Sequence, residues 1–589
     1  MFPVRPDEPA YARLHDPTSQ SANRYGKPIE TVPEGHALRN QSLAINGDDG
    51  IGDNPNRYRQ HGFFFNADNC IACHACEAAC SEKNDNPAHI AFRSVGFVEG
   101  GTYPDYQRIN ISMACNHCDN PVCLKGCPTR AYTKFAEYGA VLQDPDICFG
   151  CGYCTWVCPY NAPQLDPVKG QVTKCNMCVD RLEAGLKPAC VTACLGKALD
   201  FGVIENIPEG RCQAKTSIPG FPRTDITHPN IRFQQTRVTQ RDMRRVDSMP
   251  LKYHKDDASD TFVPQLDPEQ GAACAWNLKS LLGSHENAHV AFTLSTQAVM
   301  GAFALLVTLP GLAVLDTLAS LTVMLVLIGF GLFRLNMHLG KPHRFYRGFN
   351  NWRLSPVSRE IAGVSLFFAG LSGYACFTLL PTFPFAGLLK SASMAAGLLG
   401  LAVGGYYMYR LYRIKARPFW DHWHTGAAFI GAGLALGGLL LGLLALAQGL
   451  LSPALAATLG SVMAAGFTVE GVGLFVHARD MGCAEHEGVV SHFQQTTRYG
   501  WPYRLRNGLL AASLLLALWL SVTGSTLPLL LLAPLAVVAA ILGRALFYVL
   551  VIPTTMPGAF FWRNRAFEAH ARETGLAELP QVGVLPEGH

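Results

Sequence analysis

Apolar residues are distributed unevenly along this chain, and their pattern divides it into two halves. Residues 1–284 are polar, whereas residues 288–552 consist mostly of Leu, Ala, Gly, Val and Phe. A chain of 589 residues exceeds what one ordinary core accommodates, so at least two domains are expected. The change in composition near residue 286 therefore predicts a domain boundary.

The apolar half contains eight runs long enough to cross a bilayer, because a hydrocarbon core of roughly 30 Å needs about twenty apolar helical residues. The runs are 288–309, 315–337, 359–380, 386–411, 424–448, 453–477, 506–525 and 527–552. Small-residue stretches such as GLAVGG and GAGLALGG permit close contact between helices in lipid. The second half, residues 286–552, is predicted to be an all-α bundle of eight transmembrane helices, followed by a tail at 553–589.

The polar half divides further by composition. Residues 1–60 are rich in Pro, Asn, Asp and Arg with little periodicity, so a flexible arm is expected. Residues 61–205 hold sixteen of the twenty cysteines. We interpret residues 206–285 as an extended linker lying on the soluble domain, in preference to a separate small domain.

The sixteen cysteines fall into four groups, and each group ends in a pair separated by three residues. The groups are Cys70, Cys73, Cys76, Cys80; Cys115, Cys118, Cys123, Cys127; Cys148, Cys151, Cys154, Cys158; and Cys175, Cys178, Cys190, Cys194. The first and third have the spacing of bacterial ferredoxins, and Pro128 and Pro159 supply that signature's proline. Such loops let thiolates converge on one cubane cluster, while the fourth cysteine departs on a helix toward another cluster. We therefore expect an α+β, ferredoxin-like polyferredoxin domain with two double-cluster modules and four [4Fe-4S] clusters.

Zinc and disulfides are the alternatives for these cysteines. Structural zinc sites use two pairs of ligands for each metal, commonly with histidine, which this repeated run does not resemble. The chain opens MFPVRPDEPAYARLHD, without a charged start followed by an apolar run, so we expect no secretory signal and a reducing compartment. Electron transfer is the favoured interpretation. The isolated Cys212, Cys274, Cys376 and Cys483 are interpreted as free thiols.

Three stretches, CNHCDNPVCLKGCP, CFGCGYCTWVCPYNAP and KCNMCVDRLEAGLKPAC, resemble the four-cluster electron-transfer subunit of the dimethyl sulfoxide reductase family of molybdopterin oxidoreductases. The resemblance runs from about Phe64 to Phe201 and implies that the first group pairs with the fourth and the second with the third. The implied ligand sets are Cys70, Cys73, Cys76, Cys194; Cys175, Cys178, Cys190, Cys80; Cys115, Cys118, Cys123, Cys158; and Cys148, Cys151, Cys154, Cys127. Ser81 and Leu195 stand where a proline would follow, which leaves the local turn open.

The stretch HLGKPHRFYRGFNNWRLSPVSREI, residues 338–361, resembles the eight-helix quinol-handling anchor of the same family. Anchor and cluster protein are usually separate chains, so a fusion is implied. His338, Arg344 and Glu360 match the residues implicated in quinol binding. Histidine exchanges a proton near neutral pH, a carboxylate can act as the base, and a guanidinium can stabilise a charged oxygen. An interfacial charge cluster at helix ends is the structural alternative.

Basic residues in the loops predict the orientation. With an even number of spans, the basic loops and the cluster domain lie on one side, and the opposite face shows only Lys390. The basic residues are Lys341, Arg344, Arg347, Arg353, Arg359, Arg413, Lys415, Arg417, Arg479, Arg498, Arg504, Arg506, Arg563, Arg565 and Arg572. This asymmetry predicts that the cluster domain faces the cytoplasm at the bacterial inner membrane. Docking of a partner by some of these arginines is a competing interpretation.

Two charged residues lie within apolar runs and are costly in lipid unless they are paired or face water. Either Glu470 and Arg544 form a structural ion pair, or Glu470 belongs to a proton path toward His477. Haem is not expected, because the histidines sit mainly at helix ends and no interior pair offers axial ligands.

Neither a molybdopterin-binding domain nor a nucleotide-binding glycine loop is recognisable, so we expect a non-catalytic redox subunit. The resemblance implies a separate molybdopterin catalytic subunit that exchanges electrons with the quinone pool, menaquinone or ubiquinone. No nucleic-acid partner is expected. An S-oxide or N-oxide reductase is the first interpretation, and a cytoplasm-facing sulfite dehydrogenase is the second. A stand-alone quinone-linked carrier, an ion-translocating module of another respiratory complex and a zinc-holding membrane protein are further alternatives.

Overall fold

The computed structural model describes residues 8–14, 57–205 except 88, 215–269 with short gaps, 281–550 except 283–285 and 484, and 574–575. The chain divides into two compact units, one extending to Ala272 and the other spanning Ala273–Ile552. Most of the expected arm and of the expected tail, with its three arginines, lies outside the described residues.

The first unit consists of short strands and short helices. Its strands are β1 (His61–Asn66), β2 (Arg93–Gly100), β3 (Gln107–Ala114), β4 (Tyr132–Lys134), β5 (Val141–Gln143), β6 (Gln164–Asp166), β7 (Gln171–Thr173), β8 (Leu199–Val203), β9 (Ile231–Gln234), β10 (Asp242–Arg245), β11 (Leu251–Asp256) and β12 (Thr261–Leu266). Its helices are α1 (Ala75–Lys83), α2 (Val122–Gly126), α3 (Tyr153–Val157), α4 (Val179–Glu183) and α5 (Ala189–Thr192). The predicted ferredoxin-like α+β class is confirmed.

A three-stranded sheet brings distant cysteine loops together. Its central strand β1 pairs antiparallel with β8 and parallel with β9, so both of its edges are hydrogen-bonded. Five successive residues of its sequence HGFFFN are buried, so both of its faces are also covered. The ring of Phe63 packs on Phe201 at 5.2 Å, and that of Phe65 packs on Phe233 at 6.4 Å. Because the first cysteine loop follows β1 and the fourth precedes β8, this pairing places them side by side.

The segment interpreted as an extended linker contributes strands to the first unit. The five-stranded antiparallel sheet has the order β12-β11-β10-β2-β3, and β9 joins the other sheet. The backbone pairs of Arg244 with Glu99 and of Arg245 with Val98 connect this segment to β2. The structure thus differs from the expectation, because β9 pairs with β1 and β10 pairs with β2, more than a hundred residues earlier, which makes the segment part of both sheets.

The second unit contains eight helices long and apolar enough to cross a membrane. They are α6 (Asn287–Thr308), α7 (Leu318–His338), α8 (Pro356–Leu379), α9 (Ala386–Leu411), α10 (His424–Ala447), α11 (Pro453–Cys483), α13 (Gly500–Thr523) and α14 (Thr526–Val549), with the shorter α12 (Gly488–Thr496) before α13. The predicted eight-helix bundle is confirmed.

Two helices are longer than hydropathy predicts. The helix α11 continues past residue 477 to Cys483, and α13 begins at Gly500 rather than at residue 506. Both added segments carry polar residues, which a hydropathy pattern excludes although the backbone hydrogen bonds continue. As a result, Arg506 is not a loop residue: it lies inside α13 and is buried.

Glycines allow α8 and α9 to pack closely. A Cβ added to Gly400 of α9 would lie 2.2 Å from the backbone nitrogen of Phe367, and one added to Gly363 of α8 would lie 2.3 Å from the nitrogen of Gly404. The two helices therefore touch backbone to backbone, as the small-residue pattern predicts for helices in lipid.

Candidate iron-sulfur centres and membrane site

Each cysteine loop contains a left-handed residue at the same place. The second residue after the first cysteine of each group has a positive φ: 53° at Ala72, 41° at His117, 75° at Gly150 and 62° at Met177. In two loops the amide of this residue points at the sulfur, since the nitrogens of Gly150 and Met177 lie 3.4 Å from the Sγ atoms of Cys148 and Cys175. Non-glycine residues adopt this conformation at a cost, so the loops hold strain at the places where the thiols converge.

The third cysteine of each group lies in a short helix, and the fourth lies in the same helix or within two residues of its end. Cys76 and Cys80 both lie in α1, whereas Cys127 and Cys158 directly follow α2 and α3. A spacing of four residues corresponds to about 6 Å along a helix axis. The last cysteine of each group is thereby displaced from its own loop toward a neighbouring one.

Two cavities in the first unit are lined by cysteines from different groups. One is lined by Cys70, Cys73, Cys76 and Cys194. The other is lined by Cys115, Cys118, Cys123 and Cys158. Each set combines three cysteines of one group with the last cysteine of another, which is the donor arrangement that a cubane cluster in a two-cluster module needs.

The other eight cysteines gather in the same manner. Cys80 lies within electrostatic range of Cys190, Cys175 and Cys178. Similarly, Cys154 lies within range of Cys151, Cys127 and Cys148. The structure therefore brings together the same four sets that the family resemblance implies, and all sixteen thiols are free of disulfides.

Burial makes these thiols poor acids without a metal. It raises the pKa of Cys76 and of Cys178 to about 11, and that of Cys175 to about 12, with neighbouring thiols adding to the effect. Four thiolates in one pocket are therefore favourable only when a cation neutralises them, and iron-sulfur clusters supply it. The donor set, which is entirely sulfur, fits such clusters.

Two buried cations stand beside the sulfur sets. The Arg93 side chain donates to Ser112 Oγ at 3.0 Å, and this hydroxyl lies 3.4 Å from the Sγ atom of Cys76. Burial alone would lower the pKa of Arg93, but the thiolates of Cys190 and Cys76 raise it instead. Lys174 is likewise buried, and its Nζ donates to the carbonyl of Cys175 at 3.0 Å. Fixed positive charges of this kind favour the more negative, reduced state of a cluster.

The three predicted quinone residues lie at one end of α7 and α8. His338 is the last residue of α7, Arg344 lies in the 3-10 helix Pro342–Phe349, and Glu360 lies near the start of α8. Glu360 is buried, with 6% of its surface exposed, whereas the other two are partly exposed.

Contacts between His338 and Glu360 run through residues that the sequence did not identify as part of the site. The ring of His338 packs on His289 at 4.5 Å, and His289 lies 5.7 Å from the ring of Tyr548. The hydroxyls of Tyr548 and Tyr412 are 2.6 Å apart, and Tyr412 lies within electrostatic range of Glu360. The only sequence signal for these three residues is their position near helix ends, since His289 starts α6, Tyr412 follows α9 and Tyr548 is near the end of α14.

A carboxylate adds to the same end of the bundle. The Oε2 atom of Glu286 lies 2.9 Å from Nδ1 of His289, and together with His338 these groups bring three ligand-type atoms within 4.8 Å of one another. The site thus offers several proton donors and acceptors at the end of the helices.

Arg544 and Glu470 are not an ion pair among the described residues. The Nη2 atom of Arg544 donates to Oε1 of Gln297 at 2.7 Å, and its guanidinium lies 4.2 Å from the ring centre of Phe429. The isolated Cys376 and Cys483 are exposed free thiols, as expected, whereas Cys212 and Cys274 lie outside the described residues.

A sulfur-rich unit with four converging cysteine sets and a separate bundle of eight apolar helices define a membrane-bound iron-sulfur electron-transfer protein. A family model described as a 4Fe-4S dicluster domain matches residues 107–204, and the model for the DMSO reductase anchor subunit (DmsC) matches residues 281–550. The protein belongs to the dimethyl sulfoxide reductase family and joins its iron-sulfur and anchor subunits in one polypeptide.

Relatives of the first unit include subunits of dimethyl sulfoxide reductases and of a sulfite dehydrogenase. One is a subunit of the anaerobic dimethyl sulfoxide reductase of Haemophilus influenzae, 41% identical over 181 residues, which are 29% of this chain and 87% of the relative. The corresponding subunit from Escherichia coli K12 is 40% identical over 183 residues, again 29% and 87%. A sulfite dehydrogenase subunit of Allochromatium vinosum is 36% identical over 158 residues, 23% of this chain and 66% of that relative. The protein is thus an iron-sulfur electron-transfer protein with its own multi-pass membrane anchor.

Proposed function

We propose that this protein relays electrons between the quinone pool and a separate molybdopterin catalytic subunit of the S-oxide or N-oxide reductase type. The observation that carries the proposal is the presence, in one chain, of four converging sets of cysteines and an eight-helix anchor. The part of the chain that the structure describes contains no recognisable catalytic domain, and we place substrate reduction on a partner subunit, as the matches to the dimethyl sulfoxide reductase subunits and to the anchor family support.

We propose four [4Fe-4S] clusters in the part comprising residues 61–205. Their ligands are Cys70, Cys73, Cys76, Cys194; Cys175, Cys178, Cys190, Cys80; Cys115, Cys118, Cys123, Cys158; and Cys148, Cys151, Cys154, Cys127. When bound, clusters of this type supply successive one-electron carriers. The chain's own contribution is to fix the thiols in strained loops and to set buried cations beside them.

We propose that the quinone site lies in the anchor at residues 286–552, at the end where His338, Arg344 and Glu360 meet. Quinone chemistry couples two electrons to two protons, so a site needs groups that exchange protons in a place from which water is partly excluded. The buried carboxylate of Glu360 can accept a proton, and His338 with its neighbour His289 can pass one toward the surface. The guanidinium of Arg344 can hold a charged oxygen in place.

We also propose that the cluster unit faces the cytoplasm. The connections between the spans carry several basic residues on one face, for example Arg353 and Lys415. The opposite face carries only Lys390. The side chain of Lys390 pairs with Asp316 at 2.6 Å, so even this charge is neutralised there. A reporter fused after residue 550 that is active only in the periplasm would contradict this orientation.

Turnover with quinol tests the proposed site. In the complex purified with its partner, Glu360→Gln and His338→Ala should each lower quinol-linked reduction of dimethyl sulfoxide by about 100-fold, the scale of a lost proton-transfer group. The control is His343→Ala, which alters an exposed histidine that is not one of the three proposed quinone residues. Reduction by an artificial donor that feeds the clusters directly should stay normal in all variants. Unchanged quinol turnover in both site variants would remove these residues from the mechanism.

A sulfite-oxidising complex is the less well supported candidate. The observation in its favour is the 36% identity to a sulfite dehydrogenase subunit, which is lower and covers less of the relative than the match to the dimethyl sulfoxide reductase of Haemophilus influenzae. The two candidates differ in the direction of electron flow. Purification of the complex followed by assays with sulfite and with S-oxides separates them, since only one substrate should exchange electrons with quinone.

A further inference from the structure

The second unit contains a polar cavity that the proposed quinone site does not use. It lies among α10, α11, α13 and α14, is partly open, and has room for about two water molecules. Its polar lining consists of His424, Glu470, Arg506 and Arg544, and most of the remaining lining is alanine and other apolar side chains. Four polar groups from four different helices thus meet inside an apolar bundle.

Three of these side chains each have a buried nitrogen atom without a hydrogen-bond partner among the described residues. The Nδ1 atom of His424, the Nε atom of Arg506 and the Nη1 atom of Arg544 are buried and make no hydrogen bond within the part of the chain that the structure describes. The two arginines are only 4% and 5% exposed. Burying such donors without acceptors is costly, so water in the cavity is required to complete their hydrogen bonds.

Glu470 begins a polar stripe on one face of α11. Glu470, Gly473, His477 and Asp480 follow one another at intervals of three, four and three residues, which places them on the same side of a helix. Over ten residues this stripe rises about 15 Å, from the cavity to the half-exposed carboxylate of Asp480. Gly473 leaves room for the opposite helix, since an added Cβ would lie 3.0 Å from Nδ1 of His424.

Histidines from the start of α10 face this stripe. The ring centre of His477 lies 4.9 Å from that of His424 and 5.1 Å from that of His422. The Nε2 atom of His422 lies 3.2 Å from a carboxylate oxygen of Asp480. Titratable groups therefore follow one another from His424, which lines the cavity together with Glu470, to Asp480 at the surface.

Hydrogen bonds fix how two of these rings are protonated. The backbone nitrogen of His424 donates to Nδ1 of His422, so Nε2 of His422 carries a hydrogen and donates to Asp480. The Nε2 atom of His477 lies 3.0 Å from the carbonyl of Phe419, so its Nδ1 is left as an acceptor. His424 borders the cavity, and its Nδ1 is open to either role.

We infer that Glu470 is a buried proton-exchange site connected to the aqueous side of Asp480 by this stripe. Uptake of a proton breaks an O–H bond of hydronium or an N–H bond of a histidinium beside the cavity and forms an O–H bond on the Glu470 carboxylate. Release reverses the step, and no electrons change hands. The assignment is independent of the proposed quinone residues, because it concerns α10, α11, α13 and α14.

Charged and titratable groups surround Glu470 on each packed helix. Arg506 of α13 and Arg544 of α14 face it across the cavity, and His424 of α10 borders the same space. On the outer part of the stripe, His492 of α12 lies within electrostatic range of His477. The two guanidinium groups favour the carboxylate, while the apolar walls favour the neutral acid, and this balance permits both states.

Infrared difference spectroscopy on the full chain in lipid nanodiscs tests the inference. A change of pH should produce a carbonyl band of a protonated carboxylic acid that disappears in Glu470→Gln. On transfer to heavy water, that band should shift rapidly in the unaltered protein. In Asp480→Asn and in His424→Phe its exchange should slow by about 100-fold, the scale that a positioned proton donor contributes. The matched control is Glu485→Gln, an exposed acid just beyond the same helix, which should leave the exchange rate unchanged.

Two results would overturn the inference. If the spectrum of Glu470→Gln matches that of the unaltered protein at every pH, the carboxylate is permanently ionised and serves only to balance the arginines. If the band exists but exchanges equally fast in Asp480→Asn, the stripe is not its route. If a variant inside the cavity fails to fold, Asp480→Asn at the surface still tests whether the stripe is the route of proton exchange.

Discussion

Lys174 provides a quantitative test of how the chain tunes its clusters. The side chain is 4% exposed, and its Nζ donates to the backbone carbonyls of Val141 and Cys175. Burial alone would lower the pKa of Lys174, but the thiolates of Cys115 and Cys123 raise it, so the ammonium stays charged. The thiolate of Cys175, which we assign to a different cluster from Cys115 and Cys123, also raises this pKa. The ammonium should therefore raise the reduction potential of both clusters.

The size of this effect follows from Coulomb's law. Two unit charges about 6 Å apart at an effective dielectric constant of about 20 interact by about 3 kcal/mol. For transfer of one electron, a tenfold change in equilibrium constant, about 1.4 kcal/mol, corresponds to about 59 mV. Lys174→Met, which keeps the length of the side chain and removes the charge, should therefore lower the potentials of the adjacent clusters by about 50–120 mV.

Redox titration followed by electron paramagnetic resonance measures this shift in the purified protein. Integration of the signals must first show that the variant retains all of its clusters. Lys169→Met removes an exposed lysine five residues earlier and should leave every potential unchanged. If no cluster of Lys174→Met shifts by more than the control does, the buried ammonium is structural and our electrostatic reasoning is wrong.

Other predictions concern packing and buried charge. Gly400→Ala should destabilise the anchor by about 1–3 kcal/mol, because the added methyl group meets a backbone amide of α8. The control Gly405→Ala on the same helix meets nothing within 4 Å and should not change the stability. Thermal unfolding in detergent compares the two variants. Arg232→Met should cost about 3–5 kcal/mol by removing the guanidinium that pairs with the buried Glu205 carboxylate. Denaturant-induced loss of cluster absorbance measures this cost, and adding Glu205→Gln should restore most of the stability if the loss of this ion pair is its cause.

The sequence predicts the features of this fold that are local. The cysteine spacing identifies the loops because all ligands of a group lie within twenty residues, and the apolar runs identify eight helices because each must cover the bilayer by itself. The left-handed residues were not predictable in the same way. Ala72 and Met177 adopt a conformation typical of glycine, which convergence of the thiols imposes and residue type does not reveal.

Non-local pairing explains what the sequence could not show in the first unit. The strands β9 to β12 were expected to be a linker, although short stretches such as IRFQ in β9 and LKYH in β11 alternate between apolar and polar residues. Their order comes from pairing with β1 and β2, whose positions depend on the whole sheet. A one-dimensional pattern contains no information about such a partner, so the segment resembles a connector until the sheet is assembled.

The partners of the buried charges in the anchor also could not be predicted from the sequence. Hydropathy alone marks Glu470 and Arg544 as costly in lipid, and pairing them is the simplest way to reduce the cost. In the folded bundle Arg544 instead donates to Gln297, which comes 247 residues earlier and is not charged. Among the described residues, Glu470 thus lines a cavity and forms no ion pair. A carboxylate held in that position keeps access to water and protons that a closed ion pair would deny it, which is why its environment indicates proton exchange and not simple neutralisation.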